Sequence, residues 1–325
     1  MLNRRSFLKT AALAGGASLV LSPGRSMAHP FPFSPTLDEP TGAPAAGPIG
    51  DFKISLAQWS LHKAIFGKQI DNLDFPKVAR ERFGIEAVEF VNQFFKDKAG
   101  DSAYLKELKT RADDHGVTCV LIMIDGEGDL SAPDDTKRAQ AVSNHARWVD
   151  AAAALGCRAI RVNTGSNYSA TNTETVAAGC GALVEYGKKA NIKIICENHG
   201  GPSSDPDALV ALMKAVNEPE FFGTLPDFGN FPRNPDGTYK IDIYQAIARL
   251  MPYAKGVSAK SYDFDANGEE TRLDYARLLK IVTDAGYHGY VGIEYEGSRL
   301  SEPEGVMATK RLLERLRGAK YTPKA

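Results

Sequence analysis

The sequence has few cysteines, and they form none of the usual redox or zinc motifs. No C-x-x-C pair occurs, and the chain has only six histidines. These absences disfavour a dithiol redox site and a cysteine-based zinc site. Most of the cysteines lie in or beside apolar runs, which favours buried thiols, although pairing in an oxidising compartment stays open. The four are Cys119, Cys157, Cys180 and Cys196.

Long runs of basic residues and of apolar residues are also missing. The 39 Lys and Arg are interleaved with 40 Asp and Glu, and the net charge is −1. A nucleic-acid surface needs clustered cations to neutralise phosphates, so we expect no nucleic-acid partner. The apolar run Ala11–Leu21 is too short to span a bilayer. We therefore expect no stable membrane span in the mature protein.

The N-terminal residues instead have the order of an export signal. Arg4-Arg5 precedes the apolar run, and Ser26-Met27-Ala28 forms a small-residue cleavage site. A basic start, a short apolar centre and a small-residue exit are typical of a signal peptide, and paired arginines resemble the twin-arginine class. We assign residues 1–28 to this signal and expect a periplasmic or otherwise exported protein. An uncleaved N-terminal anchor is the alternative.

Residues 29–50 are rich in Pro, Gly and Ala and show no helix or strand period, which predicts a spacer. The remaining segment, 51–320, alternates short apolar strand candidates with longer helical patterns. The predicted strands are 54–59, 87–91, 118–124, 159–163, 193–197, 223–227, 256–260 and 290–295. The predicted helices are 135–155, 173–190, 207–216, 242–251, 274–285 and 303–317.

Eight strand-then-helix units in one chain of this size predict a single-domain (β/α)₈ TIM barrel. A doubly wound open sheet is the alternative. It would usually carry a glycine-rich phosphate-binding turn after the first strand, and QWSLHKAIFG (58–67) is not one.

Carboxylates stand at the carboxyl ends of three predicted strands, where a barrel places its functional residues. Strands five, six and eight run largely apolar and then reach Glu197, Asp227 and Glu294. Charges that point into a barrel need partners, and three converging carboxylates would repel one another. A divalent cation with oxygen ligands solves both problems. The alternative is local pairing of each acid with a Lys or Arg, such as Lys260.

At these residues the chain resembles the sugar phosphate isomerase/epimerase superfamily, the xylose isomerase-like TIM barrels. The resemblance runs from Ile54 to about Arg317, and four stretches carry it most specifically. They are ICENHGG (195–201), LPDFGN (225–230), GVSAKSYDFD (256–265) and GYVGIEYEGSRLSE (289–302).

The resemblance implies a divalent metal, such as Mn²⁺ or Mg²⁺, held by Glu197, Asp227 and Glu294. The family's fourth ligand is a histidine on strand seven, and here that position is Ser258. A neutral hydroxyl is a poorer donor than imidazole, so affinity should fall. A water, Lys260 or His199 could fill the gap. The site either binds metal weakly or has become a charged sugar pocket without metal.

The resemblance also implies catalytic roles for Glu197 and Glu294, one removing a proton α to a carbonyl and the other returning it. Substrate-binding candidates are His199, Asn230, Lys260, Trp59 and His62. Lys260 could steady an oxyanion or pair with Asp227 or Glu294. Trp59 and Phe228 could stack on a sugar, or could be core residues.

Three functions remain open from the sequence. The first is an exported isomerase or epimerase that transfers a proton on a sugar or keto-sugar. The second is a lyase acting on oxidised (keto) glycosides, and the third is a non-catalytic carbohydrate-binding barrel. The expected partner is a small carbohydrate, with further copies of the chain as an open possibility. Endonuclease activity is disfavoured, because the sequence has no histidine-rich multi-zinc ligand set.

The export prediction can be tested with a reporter fused behind residues 1–35. It should reach the periplasm in a way that depends on Arg4 and Arg5, because the paired arginines define the twin-arginine class. The measurement is reporter activity in the periplasmic fraction. Unchanged export of an Arg4→Lys, Arg5→Lys double mutant would rule out this route.

Overall fold

The computed structural model describes residues 43–323, and in them eight strands form one parallel sheet. The sheet order is β6-β5-β4-β3-β2-β1-β8-β7. The strands, numbered along the chain, are β1 (Lys53–Ala57), β2 (Ala87–Val91), β3 (Thr118–Ile124), β4 (Ala159–Val162), β5 (Lys193–Glu197), β6 (Phe222–Leu225), β7 (Val257–Ser261) and β8 (Tyr290–Tyr295). All eight predicted strands are present, and their bounds agree within two residues.

A helix follows each strand and packs on the outside of the sheet. Six of these eight helices were predicted; α1 and α2 were not located, and they are the most polar of the eight. No helix of the described residues is long and apolar enough to cross a membrane. The helices are α1 (Phe75–Phe83), α2 (Ser102–Asp114), α3 (Asp135–Ala154), α4 (Glu174–Ala190), α5 (Pro206–Val216), α6 (Ile243–Leu250), α7 (Tyr275–Asp284) and α8 (Glu302–Leu316).

The sheet closes into the predicted barrel where β6 meets β7, and this seam is interrupted by a proline. Pro226 has no N–H to donate to a ladder, so β6 ends at Leu225. Isolated parallel bridges replace the ladder, one of them between Asp227 and Ser258. The Phe228 N–H donates to the Ser258 carbonyl (3.1 Å), and the Ser258 N–H to the Pro226 carbonyl (2.9 Å). Two predicted site residues therefore lie on the seam that closes the barrel.

Two hydrophobic clusters hold the barrel. The larger lies between the sheet and the helices, and the smaller fills the inside of the barrel with residues such as Val91, Met123 and Leu225. The four cysteines are buried free thiols, as the apolar context of most of them predicted.

The predicted spacer ends inside the fold. Gly47–Pro48 pairs antiparallel with Lys320–Tyr321, and the buried Ile49 exchanges backbone hydrogen bonds with the 318–319 segment. The apolar side chain of Ile49 explains why this segment packs on the barrel, because burial there removes the side chain from water. The predicted signal peptide at 1–28 and the predicted spacer up to residue 42 lie outside the described residues.

Two glycines of α4 provide a matched test of how closely this helix packs. A Cβ at Gly179 would lie 2.1 Å from the Leu130 carbonyl oxygen, whereas a Cβ at Gly181 would meet no atom within 4 Å. We expect Gly179→Ala to lower the free energy of unfolding by about 1–3 kcal/mol through overpacking. Gly181→Ala should raise it by about 0.5–1 kcal/mol, because alanine stiffens the unfolded chain. Urea unfolding measures both, and equal shifts in the two variants would contradict this packing.

Candidate functional site

Three buried carboxylates converge at the carboxyl end of the barrel. Glu197 ends β5, Asp227 follows β6 and Glu294 lies in β8, and one oxygen from each falls within 4.8 Å of the other two. All three are at most 5% exposed. The convergence that the sequence predicted is therefore confirmed. It follows from the parallel sheet, which brings the carboxyl ends of its strands to one rim.

Ser258 lies between two of these acids. Its hydroxyl is 2.6 Å from Asp227 Oδ2 and 3.0 Å from Glu294 Oε2. A serine hydroxyl has one hydrogen, so it can donate to only one of the two oxygens at a time. The other oxygen is left without the Ser258 proton.

Lys260 neutralises part of this charge. Its register partner on the neighbouring strand is Glu294, and Nζ is 2.6 Å from Glu294 Oε1. It also lies 3.3 Å from Glu296 Oε2 and 3.9 Å from Asp227 Oδ2, with 1% of the lysine exposed. Lys260 is therefore paired with Glu294, which is one of the two partners that the sequence suggested.

A second buried cation, Arg161 on β4, lies on the other side of the site. Its Nη1 donates to Asp125 Oδ1 at 2.8 Å, and its Nε lies 2.9 Å from Glu197 Oε2. The Nε–Glu197 contact lacks the alignment of a hydrogen bond, so neither atom has a hydrogen-bonding partner. Burial would raise the pKa of Asp125, but the Arg161 charge and its hydrogen bonds lower that pKa to about 2.

The three acids differ in how easily they hold a proton. Burial raises the pKa of both Glu197 and Asp227 to about 7, against the attraction of Arg161 and Lys260 respectively. Burial acts on Glu294 in the same way, but the charge and hydrogen bond of Lys260 outweigh it and lower its pKa. Glu294 is therefore the ionised member, while Glu197 and Asp227 can exchange protons near neutral pH.

Backbone and amide groups orient Asp227 and Glu197. The N–H groups of Gly229 and Asn230 donate to Asp227 Oδ1 at 2.8 and 2.7 Å. The Asn230 side chain donates to Glu197 Oε1 at 2.8 Å. Asn198 is buried and exchanges two hydrogen bonds with the Asp227 backbone. Asn230 therefore contacts a predicted catalytic residue directly.

His199 lies beside this group, at the edge of a cavity of about 500 Å³ that Asn230, Arg233 and Tyr262 also line. The chain turns after Glu197, where β5 ends, so His199 does not continue the strand. Its backbone N–H is held by the Ser203 hydroxyl. Surrounding protein, and then the Arg161 charge, lower the pKa of the His199 side chain, so it is neutral at pH 7.

Trp59 and His62 form an aromatic group at the mouth rather than part of the carboxylate cluster. Their rings stack at 4.8 Å, and Phe66 and Phe94 pack beside Trp59. Trp59 Nε1 donates to Glu296 at 2.7 Å, which connects this group to Lys260. Phe228, the other stacking candidate, is fully buried against Tyr275 and is a core residue.

A fourth acid, Glu89 on β2, is buried inside the barrel. Ser55 donates to its Oε1 at 2.6 Å, while its Oε2 has no hydrogen-bonding partner. A Cβ at Gly292 would lie 2.6 Å from both Glu89 oxygens, so glycine is what leaves room for this carboxyl group. Burial raises the pKa of Glu89 to about 8, so it carries a proton at neutral pH.

The donor set fits a hard divalent cation. Three carboxylates offer the oxygen ligands that Mg²⁺ and Mn²⁺ prefer. Glu197 Oε2 accepts no hydrogen bond, and the Ser258 proton cannot serve both of its neighbours. Lys260 and Arg161 supply only two positive charges, and each is shared with a further acid, Glu296 or Asp125. The cluster therefore has room for more positive charge.

The sequence places Arg161, Asp125, Asn198 and Glu89 at or near strand ends, but it led to no predicted role for any of them. Arg161 and Glu89 could have been found from strand alternation: a charged residue within an otherwise apolar strand marks an inward position that needs a partner. Gly292 within a strand was also a signal of close approach. Nothing in the sequence indicated which cation each acid would contact.

Glu89 makes the stability of the protein depend on pH. Its pKa in the folded protein is about 8, above the ordinary 4.5. Its contribution to the free energy of unfolding is therefore complete below pH 4.5 and is lost as the pH rises through 8. Between pH 5 and 8, Glu89→Gln should reduce the fall in unfolding free energy by up to about 1.4 kcal/mol per pH unit.

The measurement is urea unfolding across that range in a chelating buffer. Glu220→Gln, which removes an exposed carboxylate, is the control. Identical slopes in the two variants would contradict a protonated Glu89.

A family model described as xylose isomerase-like TIM barrel matches residues 77–317. A D-tagatose 3-epimerase-like protein has a similar structure, with TM-score 0.61, 18% identity, and coverage of 82% of this chain and 97% of that one. A xylose isomerase-like TIM barrel protein from Mycobacterium smegmatis, in complex with magnesium, gives 0.60 and 16%, covering 82% and 96%. At these identities the structural likeness supports the fold alone.

One curated relative is the 3'-dehydrocarminate deglycosidase alpha subunit of a Microbacterium species. It is 44% identical over 48 residues, which are 15% of this chain and 14% of the relative. The chain thus matches only a small part of that relative's length. The family model, in contrast, spans most of the barrel, from α1 to the end of α8. The chain belongs to the xylose isomerase-like TIM barrel family.

Proposed function

We propose that this protein is an exported enzyme that transfers a proton at the carbon α to a carbonyl of a sugar or keto-sugar, as an isomerase or epimerase. The observation that supports this most directly is the pair of buried glutamates with opposite pKa shifts. The pKa of Glu197 is raised to about 7, and that of Glu294 is lowered. Acid–base pairs in enzymes are commonly separated in this way by their environments.

In this proposal Glu197 removes the proton from one face of the α-carbon, and Glu294 serves the opposite face. A pKa near the working pH maximises the product of the ionised fraction of Glu197 and its strength as a base. Asn230 fixes its orientation through Oε1, and Arg161 lies against Oε2. Arg161 also limits how far burial raises the pKa, so part of the population stays ionised at neutral pH.

Glu294 acts on the other side of the reacting carbon, held ionised by Lys260. It accepts the proton when the reaction starts from the other epimer, and the protonated form of Glu197 then returns a proton to the opposite face. Because Lys260 also contacts Glu296, and Glu296 accepts a hydrogen bond from Trp59, Glu294 is connected to the aromatic group at the mouth. His199 and Asn230, with Trp59 and His62, are the residues we assign to substrate binding.

Glu197, Asp227 and Glu294 would hold the divalent cation, with the Ser258 hydroxyl as a weak fourth donor. When bound, the cation would supply positive charge that stabilises the negative charge developing on the carbonyl oxygen. Buried among acids, the hydroxyl is well placed to orient Asp227 and Glu294 whether or not it is a ligand.

A second candidate function is elimination from a keto-glycoside. It begins with the same removal of an α-proton and continues with loss of the aglycone from the neighbouring carbon. The short match to a 3'-dehydrocarminate deglycosidase subunit favours this reading. The two reactions share Glu197 as base and differ in the product: an epimer, or a released aglycone and an unsaturated keto-sugar.

Export through the twin-arginine route is part of the proposal. It rests on residues 1–28, outside the described part of the chain. It limits the substrate to sugars found outside the cytoplasm, where sugar phosphates are poor candidates.

The decisive assay is incorporation of deuterium from D₂O into candidate ketoses and 3-keto-glycosides, with and without Mn²⁺. Glu197→Gln and Glu294→Gln should each slow the exchange by about 10²–10⁴-fold, because each removes a proton-transferring group. Product analysis in the same samples separates epimerisation from elimination. Glu220→Gln, at an exposed position, is the control for loss of one carboxylate.

Exchange that survives Glu294→Gln, or that needs no metal, would overturn this mechanism. Absence of exchange with every substrate, together with absence of metal binding, would favour the carbohydrate-binding barrel.

Ser258→His should tighten Mn²⁺ binding if the ring can be accommodated, measured by calorimetry. Ser258→Ala, which removes the shared hydroxyl without adding volume, is its matched control.

A further inference from the structure

The cavity beside the carboxylate cluster has an unusual lining for its position. It measures about 500 Å³ and lies between the loops that follow β5 and β6. Although three buried carboxylates lie next to it, no acidic residue lines it. Its lining includes one cation, Arg233, together with the polar side chains of His199, Ser204, Asn230 and Tyr262.

Arg233 is held in place without an acid. Its guanidinium lies over the rings of Tyr239 and Tyr262, at 4.8 and 4.4 Å from their centroids. Its Nη2 donates to the Tyr239 hydroxyl at 2.8 Å. Among residues 43–323, no carboxylate lies within ion-pair distance of it. The buried Arg161, in contrast, contacts both Asp125 and Glu197.

The two tyrosine rings set the orientation of the guanidinium, so it is organised before any ligand binds. Planar stacking of this kind reduces the side-chain freedom that binding would otherwise remove. The neighbouring groups add neutral donors. Burial raises the pKa of the Tyr262 hydroxyl, which therefore keeps its proton.

Asn230 connects the cavity to the predicted catalytic centre. Asn230 lines the cavity and donates to Glu197 Oε1 at 2.8 Å. The hydroxyl groups of Tyr239 and Tyr262 both approach the Gly229 carbonyl, two residues after Asp227. A ligand that fills the cavity therefore lies next to the carboxylate cluster.

We propose that this cavity binds a carboxylate group on the substrate, with Arg233 as the residue that recognises it. The substrate class is then a sugar acid, such as a uronate. This inference rests on the proposed function, since it places the carboxylate next to the carbon that reacts at Glu197. One guanidinium matches a carboxylate through two parallel hydrogen bonds. A phosphate dianion usually needs more than one cation or a helix N-terminus.

The test uses the full chain loaded with Mn²⁺ and compares the binding of D-glucuronate, D-glucose and glucose 6-phosphate by calorimetry. Glucuronate should bind about ten- to a hundredfold more tightly than glucose, as expected for hydrogen bonds to a charged group. Arg233→Gln should remove that difference and leave glucose binding unchanged. Arg233→Lys should retain part of it, because lysine keeps the charge and loses the planar fork.

Arg272→Gln is the matched control. Arg272 stacks on the same Tyr262 ring, at 5.0 Å, but is exposed and does not line the cavity. It should keep the preference for glucuronate. Equal losses in the Arg233 and Arg272 variants would overturn the proposal, and so would loss of glucose binding in Arg233→Gln, which would indicate a structural role.

Equal binding of glucuronate and glucose, or no glucuronate binding at millimolar concentration, would also overturn it. Tighter binding of glucose 6-phosphate than of glucuronate would assign the cavity to phosphate. The proposed proton transfer is tested separately, by deuterium exchange into neutral keto-sugars. A preference for carboxylates without exchange, and exchange without such a preference, are therefore distinguishable.

Discussion

Lys260 and Glu294 stand opposite each other on neighbouring strands, and their contact inside the barrel is the interaction on which the rest of the site depends. The ammonium is fully buried, 2.6 Å from the carboxylate. A lone buried charge would be costly, but this pair also lies beside Asp227, Ser258 and Glu296. Replacing either member alone would leave the other charge unpaired. The pair thus determines which acid of the cluster stays ionised.

The rest of the electrostatics is a consequence of incomplete neutralisation. The two buried cations, Lys260 and Arg161, neutralise only part of the negative charge of the surrounding acids. Burial therefore raises the pKa values of Glu197 and Asp227 to about 7. Protons, a metal ion or a polar substrate can each supply what is missing. This is the physical property that makes the cluster suitable for proton transfer, and it also explains why Glu89, farther inside and without a cation, is neutral.

The loop after β6 orients part of the site and also lines the cavity beside it. Asp227 is held by backbone N–H groups of its own loop, and the same loop carries Asn230 and Arg233 outward toward solvent. One short segment after Pro226 therefore closes the barrel, orients an acid of the cluster and lines the neighbouring cavity. Because Pro226 interrupts the ladder, this segment is free to bend away from the strand direction. A barrel with an uninterrupted β6 would direct these residues differently.

The sequence by itself determined the repeating order of strands and helices, and with it the barrel. Apolar runs of strand length, ended by Glu197, Asp227 and Glu294, were enough to predict that three acids meet, because parallel strands bring their carboxyl ends to one rim. The order of residues could not determine which cation meets which acid. Whether Lys260 faces Glu294 or Asp227 depends on the register of β7 against β8, and the Arg161–Glu197 contact depends on the register of β4 against β5. Only the closed barrel decided these pairings, and with them every pKa in the site, because they are set by distances between residues far apart in the chain.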